Sequence, residues 1–305
     1  MTERQPAPVA SAAARPISLI VNPSAGGGRA GRLLGSVGMA LSARGLSHHV
    51  ELTRSLEHAA ELAAVAAAAG ELAAAFGGDG LIAAVAGALR DSDGILGILP
   101  GGRGNDLARV LGIPADPVAA CEVLARGVVR RLDLGEVAGR TFLGIASCGF
   151  DSDANRIANQ TRLVKGNLVY AYGAVRALVG WRPATFEVTL DGARTHVVRG
   201  YSVGAANNKA YGGGMYAAPD AELDDGLLDV VTLADMPKAR FLTSLMPKVF
   251  KGTHVNEPEV TVWRAAEVAI AADRPFTLYA DGDPIAELPV TIRVLPRAVQ
   301  AILPH

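Results

Sequence analysis

Three glycine-rich segments have the composition of phosphate cradles: Asn22-Pro23-Ser24-Ala25-Gly26-Gly27-Gly28, Gly77-Gly78-Asp79-Gly80 and Gly101-Gly102-Arg103-Gly104-Asn105-Asp106. Glycine lets the main chain approach a ligand closely, and the free N–H groups at the start of a helix attract anions. Each segment follows a short apolar run that reads as a strand (Ile17–Val21, Leu72–Phe76, Ile95–Leu99) and precedes a helical pattern. In an open parallel sheet the carboxyl ends of the strands line one crevice. The three turns therefore point to a ligand carrying phosphate. A Walker-type loop is excluded, because no GxxxxGK[ST] occurs. Gly26, Gly28 and Gly31 do fit GxGxxG, with Glu51 further along. That keeps an NAD(P)-dependent oxidoreductase as an alternative, although its fingerprint has no use for the other two turns.

Carboxylates form the second group. Asp79 lies inside a glycine turn, where it faces the expected crevice and suits a Mg²⁺ ion bridging to phosphates. Asn105 can hydrogen-bond a nucleoside or a phosphate. Asp106 reads equally as a first-turn acid favoured by the helix dipole. Thr53, just past a second strand at His49–Leu52, either touches a nucleoside or caps the next helix. Asp281 and Asp283 flank Gly282 after the strand-like run Phe276–Ala280, and by themselves suggest a hairpin turn. Asp220 to Asp229 is an acidic loop, and its plain reading is a solvated turn. The six histidines show no metal-binding spacing, and Cys121 and Cys148 form no CxxC pair.

The elements that must position these residues change along the chain. Up to about Asp133, strands and helices alternate, which argues for a parallel sheet covered on both faces. Beyond it, Phe142–Cys148, Phe186–Leu190, Thr195–Ala205, Leu228–Leu233, Val260–Trp263, Ala266–Ala271 and Phe276–Ala280 read as strands, with helical stretches near Ala154–Gly180 and Pro237–Lys251. Asp191-Gly192 is a type I′ hairpin signal. The expected organisation is a disordered lead-in at 1–14, an α/β nucleotide-binding domain at 15–134 joined by 294–305, and a β-rich, antiparallel sandwich-like domain at 135–293. The chain has 305 residues, half of them hydrophobic, and a formal net charge of −1. That size suits two domains, and that charge excludes a chain-wide basic footprint for nucleic acid.

Taken together, these residues resemble the diacylglycerol kinase catalytic family, which includes bacterial lipid kinases and sphingoid-base kinases and is distantly related to NAD kinases. The resemblance rests on the three glycine turns, on Asp224-Asp225-Gly226-Leu227-Leu228-Asp229 and on Ala280-Asp281-Gly282-Asp283, in the family's order from Ile17 to the C-terminus. It implies an NAD kinase/diacylglycerol kinase-like fold with an ATP site between the two domains. ATP would be bound by Asn22, Pro23, Ser24, Gly26, Gly27, Thr53, Gly77, Gly78, Asp79, Gly80, Leu81, Gly102, Arg103, Asn105 and Asp106. Asp283 would be the general base, assisted by Asp281. Mg²⁺ would be held by Asp79 at the phosphates, and a structural Mg²⁺ by Asp225 with carbonyls near Glu222 and Leu227. The implied reaction is phosphorylation of a lipid hydroxyl, foremost diacylglycerol to phosphatidic acid; a sphingoid base or another lipid alcohol is the alternative acceptor.

The chain departs from the family pattern at Ala25, at Leu81, Ala83 and Ala84, at Arg103, and at Asp283, where the family places Glu. The loss of polar side chains near the nucleotide keeps a catalytically weak nucleotide-binding protein as a third reading. The implied location is cytoplasmic with transient membrane contact, and a homodimer is compatible. Lys238, Arg240, Lys248 and Lys251, interleaved with Phe241, Leu242, Leu245, Met246, Val249 and Phe250, suggest either an interfacial helix or a surface helix packed on the β-rich half. Arg156, Arg162 and Lys165 form a second basic cluster.

Overall fold

The structure, a computed structural model, describes residues 15–150, 152–153, 157 and 176–305. The cluster Arg156, Arg162 and Lys165, the lead-in at 1–14 and most of the helical stretch expected near Ala154–Gly180 lie outside the described residues. The chain divides into two compact units, Met1–Arg131 with Val299–His305, and Leu132–Ala298.

The first unit alternates β1 (Ile17–Val21), α1 (Ala25–Ala43), β2 (His48–Leu52), α2 (Leu56–Ala68), β3 (Leu72–Gly77), α3 (Asp79–Ala88), β4 (Ile95–Pro100), α4 (Asp106–Val110) and α5 (Pro117–Arg126). β1 pairs in parallel with β2 and β3, and β3 with β4. Every residue of β1, β3 and β4 is buried, as expected of apolar strands covered on both faces. Val21 lies opposite Phe76, and Phe76 opposite Leu99, so β1, β3 and β4 end level with one another. Their three glycine turns therefore leave from one edge. Ser55 caps α2, its hydroxyl accepting the His58 N–H at 3.1 Å, a contact that contributes about 1 kcal/mol. Gly26, Gly27 and Gly28 all have left-handed φ values of 61°, 69° and 84°, so regular helix begins only at Arg29.

The second unit is built from antiparallel strands. β5 (Val128–Val137) leads into it and is followed by β6 (Arg140–Phe142), β7 (Ile145–Gly149), β8 (Ala184–Leu190), β9 (Arg194–Ala206), β10 (Ala210–Tyr211), β11 (Met215–Tyr216) and β12 (Leu228–Ala234). Helical pieces at Lys238–Arg240, Phe241–Leu245 and Met246–Val249 precede β13 (Val260–Ala265), β14 (Glu267–Ala272), β15 (Thr277–Ala280), β16 (Asp283–Glu287) and β17 (Val290–Leu303). β9 is the spine, pairing with β7, β8 and β12. Inside, Phe150, Trp181, Tyr201 and Phe241 form an aromatic cluster, with Phe150 and Phe241 edge to face at 5.0 Å. The end of β17 belongs to the first unit, where Gln300 and Ala301 pair with β4. Asp191 and Gly192 turn the β8–β9 hairpin with φ values of 48° and 66°.

One expectation is corrected and one open alternative is narrowed. The strand expected over Phe142–Cys148 breaks at Leu143 and Gly144, because their N–H groups point to the Asp281 carboxylate instead of to a neighbouring strand. The stretch from Lys238 to Val249 packs on its own unit. Phe241, Leu245 and Val249 are buried, Arg240 pairs with Glu257 and Glu259, Lys248 pairs with Glu257, and Lys238 donates to the Val179 carbonyl. The stretch thus fits the packed surface-helix alternative, with Arg240 and Lys248 committed to carboxylates. No helix among the described residues is long and apolar enough to cross a membrane.

Candidate active site

In the first unit the glycine turns lock onto one another. Asn22 N–H donates to the Phe76 carbonyl at 3.1 Å, and Gly101 N–H to the Gly77 carbonyl at 2.7 Å. A Cβ on Gly102 would sit 2.5 Å from Gly78 Cα, and one on Gly26 would sit 2.5 Å from the Gly101 oxygen. These positions need glycine because backbone meets backbone there, in addition to the left-handed φ at Gly26. The resulting rim consists of main chain.

Side chains brace the rim. The Asn22 carboxamide oxygen accepts the Ser24 N–H. Asn105, left-handed at φ 50° and buried, folds its amide back on Gly102: Oδ1 accepts Gly102 N–H at 2.8 Å and Nδ2 donates to the Gly102 carbonyl at 3.1 Å. Asn105 thus shapes the turn with the groups it was expected to offer a ligand. Asp79 Oδ1 accepts Leu107 N–H at 3.1 Å, joining the second turn to the start of α4. Burial holds the Asp79 carboxyl above its ordinary pKa; the Leu107 N–H opposes this, and the nearby Asp106 charge adds to it. Asp106 is itself buried and paired with Arg109 at 2.6 Å.

Thr53 is buried, and its hydroxyl donates to the Ser55 carbonyl at 2.6 Å, so the cap of α2 is Ser55 and not Thr53. Leu81 is buried in α3, with its side chain packed against Gly77. Two cations border the first turn. Arg32 donates to the Gly27 carbonyl at 3.1 Å, and Arg103 Nη2 lies 4.0 Å from where a Gly27 Cβ would be. Arg32 is absent from the motifs; only its place one helical turn after Gly28 hints at it.

In the second unit the β15–β16 connection is a two-residue turn. Ala280 pairs with Asp283, and Asp281 and Gly282 between them have φ values of 50° and 92°. The hairpin reading therefore holds geometrically, and the turn is anchored as well. Asp281 Oδ2 accepts Leu143 N–H at 2.9 Å and Oδ1 accepts Gly144 N–H at 2.8 Å, across 138 and 137 residues of chain. The neighbouring Asp283 is exposed.

The acidic loop has its own clamp, one that motif reading missed. Asp133 is fully buried; its carboxylate accepts Gly226 N–H at 2.7 Å and Arg297 N–H at 2.6 Å. A lone acid in the apolar run around Leu132 and Leu134 was the available signal, since a buried charge must find donors. Asp225 Oδ1 accepts Leu227 N–H at 2.9 Å, and the Arg264 guanidinium crowds its other oxygen. Glu222 is exposed. Among the described residues, no three His, Cys, Asp or Glu side chains gather as a metal cluster. The buried Asp225 Oδ2 has no hydrogen-bond partner, an orphaned oxygen of the kind that a cation would satisfy. Asp229 is buried, and its pKa is pushed up to about 6 by that burial and then by the charges of Asp220 and Glu222.

A parallel α/β unit followed by an antiparallel β-rich one defines a fold class shared with solved kinases. A diacylglycerol kinase from Bacillus anthracis str. Sterne superimposes with a TM-score of 0.74 at 22% identity, covering 95% of this chain and 97% of that one. An NAD kinase from Archaeoglobus fulgidus superimposes with a TM-score of 0.52 at 15% identity, covering 94% and 93%. At such identities the likeness concerns the fold.

Sequence relatives carry the assignment further. Residues 16–137 match the diacylglycerol kinase catalytic domain, and residues 144–303 match the YegS C-terminal NAD kinase beta sandwich-like domain. A diacylglycerol kinase of Mycobacterium tuberculosis is 36% identical over 223 residues, 71% of this chain and 72% of that protein. A protein of Pseudomonas aeruginosa named "Probable lipid kinase YegS-like" is 32% identical over 216 residues, 68% of each. The chain belongs to the diacylglycerol kinase and YegS-like lipid kinase family. Membership of a kinase family sets aside the hydride-transfer alternative.

Proposed function

We propose that this lipid kinase transfers the γ-phosphoryl group of ATP to a lipid hydroxyl, foremost that of diacylglycerol, forming phosphatidic acid. The observation that carries the reading is the interlocked main-chain rim of the first unit, with Arg32 and Arg103 at its border. A rim of fixed N–H groups and two guanidiniums suits a triphosphate. The NAD kinase of similar fold was solved with ATP, which supports the same nucleotide here.

In this reading Asn22 to Gly27, Gly77 to Leu81 and Gly102 to Asp106 hold the nucleotide, chiefly through backbone, and Thr53 borders it. Mg²⁺ would sit at Asp79 together with the phosphates, a mode that needs only one or two protein carboxylates, and would neutralise phosphate charge. Asp283, exposed at the start of β16, accepts the acceptor's O–H proton. The proton moves late, as the new O–P bond forms and the bond from the γ-phosphorus to the bridging oxygen of ADP breaks. Asp281, committed to Leu143 and Gly144, fixes the turn and so aims Asp283. The chain works in the cytoplasm and meets the lipid by transient contact with a membrane surface.

The test is turnover of ATP with MgCl₂ against diacylglycerol, sphingosine and other lipid alcohols in mixed micelles. The expected result is ATP consumption that depends on the lipid and is fastest with diacylglycerol. Melting-temperature stabilisation by ATP that NADPH does not match is expected alongside. Nucleotide binding without turnover on any lipid would favour a binding protein.

A further inference from the structure

Within the second unit, one side chain touches both the segment that grips Asp281 and the residue that grips the acidic loop. Asn207 directly follows β9 and is fully buried. Its Nδ2 donates to the Leu143 carbonyl at 3.2 Å and to the Asp133 carbonyl at 3.0 Å. Its backbone N–H donates to the Gly144 carbonyl at 2.9 Å. Only the NH₂ half of the amide can face two carbonyls, so these partners fix its orientation. Oδ1 has no partner among the described residues, and the side chain therefore acts as a donor.

The Leu143 carbonyl and the Gly144 N–H belong to one planar trans peptide and point in opposite directions. Gly144 N–H donates to Asp281 Oδ1 at 2.8 Å, while Asn207 holds the carbonyl side. The peptide is thus gripped from both faces. If the carbonyl side is released, the plane is free to turn, and Asp281 loses a fixed donor. On its other side Asn207 holds Asp133, whose N–H donates to the Leu223 carbonyl at 2.6 Å and whose carboxylate accepts Gly226 N–H. One run of hydrogen bonds thus joins the β15–β16 hairpin to the acidic loop. A serine here would offer one donor and an aspartate none.

We propose that Asn207 is a positioning residue for phosphoryl transfer: it locks the Leu143–Gly144 peptide so that Asp281 keeps Asp283 aimed, and it links that hairpin to the Asp220–Asp229 loop. Being fully buried, it acts through these partners and not on substrate. The inference rests on the reading of Asp283 as the base.

The experiment uses the full chain. Asn207→Asp keeps the size of the side chain and removes both donors. Amide exchange followed by NMR, without nucleotide or lipid, should speed up at Gly144 and at Gly226 and stay unchanged in β1 and β3. With ATP and diacylglycerol, kcat should fall by up to about 10²-fold, with KM for ATP unchanged. Adding Asp281→Ala to Asn207→Asp should cost little more in kcat than the worse single variant, because the two residues act in series. Unchanged exchange at either glycine, an unchanged kcat, or fully additive losses in the double variant would overturn the proposal. Should Asn207→Asp fail to fold, Asp281→Ala decides. The Asn207 carboxamide protons should exchange slowly in wild type and faster in Asp281→Ala, and equal rates would count against the link. A wild type that turned over no lipid would sink the kinase reading, while the exchange rates would still judge the link.

Discussion

The two units hold their functional groups by opposite means. In the first, the rim is backbone: glycine turns leave one sheet edge together and approach so closely that no Cβ fits at Gly26 or Gly102. Of its polar side chains, Asn105 folds back on its own turn, and Asp79 ties the second turn to the start of α4. In the second unit, carboxylates are positioned by N–H groups from distant strands. Asp281 is held by Leu143 and Gly144, and Asp133 holds Gly226 and Arg297. A backbone rim presents fixed dipoles whatever the flanking side chains are. The losses at Leu81, Ala83 and Ala84 therefore fall on a site that relies little on side chains. A clamped turn fixes the aim of one side chain, so there a single substitution matters more.

The sharpest way to break this comparison is Asp283→Asn. Turnover should fall by roughly 10²–10⁴ while ATP affinity is unchanged, measured by steady-state kinetics and calorimetric titration. Equal losses in both would mean that the hairpin serves nucleotide binding. Gly102→Ala should do the reverse. Overpacking against Gly78 should cost about 1–3 kcal/mol in urea unfolding, with KM for ATP raised more than kcat is lowered. Asp281→Ala should destabilise by a similar amount or slightly less, about 1–2 kcal/mol for the two N–H groups left without their acceptor. It should lower kcat with little effect on KM for ATP, because only the aim of Asp283 is disturbed.

A separate expected effect concerns pH. Asp229 titrates near 6 in the fold against an ordinary value of 3.8. The native state therefore holds this proton longer than the unfolded chain does. The associated stability is fully present below pH 3.8 and is lost as pH rises through about 6. Melting temperatures of Asp229→Asn across that window should lack this decline, and a parallel decline in the variant would assign it to another group.

The same contrast explains what could be read from the chain alone. The glycine turns and their strands were legible because each signal is local: an apolar run, then glycine, then a helix. The βα alternation and the antiparallel half were legible for the same reason. The clamps were not, because Leu143 and Asp281, or Asp133 and Arg297, lie 138 and 164 residues apart and no local pattern joins them. The break at Leu143 and Gly144 has the same origin: an apolar stretch reads as one strand until a distant carboxylate claims its N–H groups.

The central claim is phosphoryl transfer from ATP to a lipid hydroxyl. It is tested most directly by incubating the protein with γ-labelled ATP, MgCl₂ and mixed micelles containing diacylglycerol, then separating lipid from aqueous label. The account predicts label in phosphatidic acid, formed in proportion to enzyme. Label appearing only as inorganic phosphate, or remaining in ATP although the nucleotide binds, would contradict it.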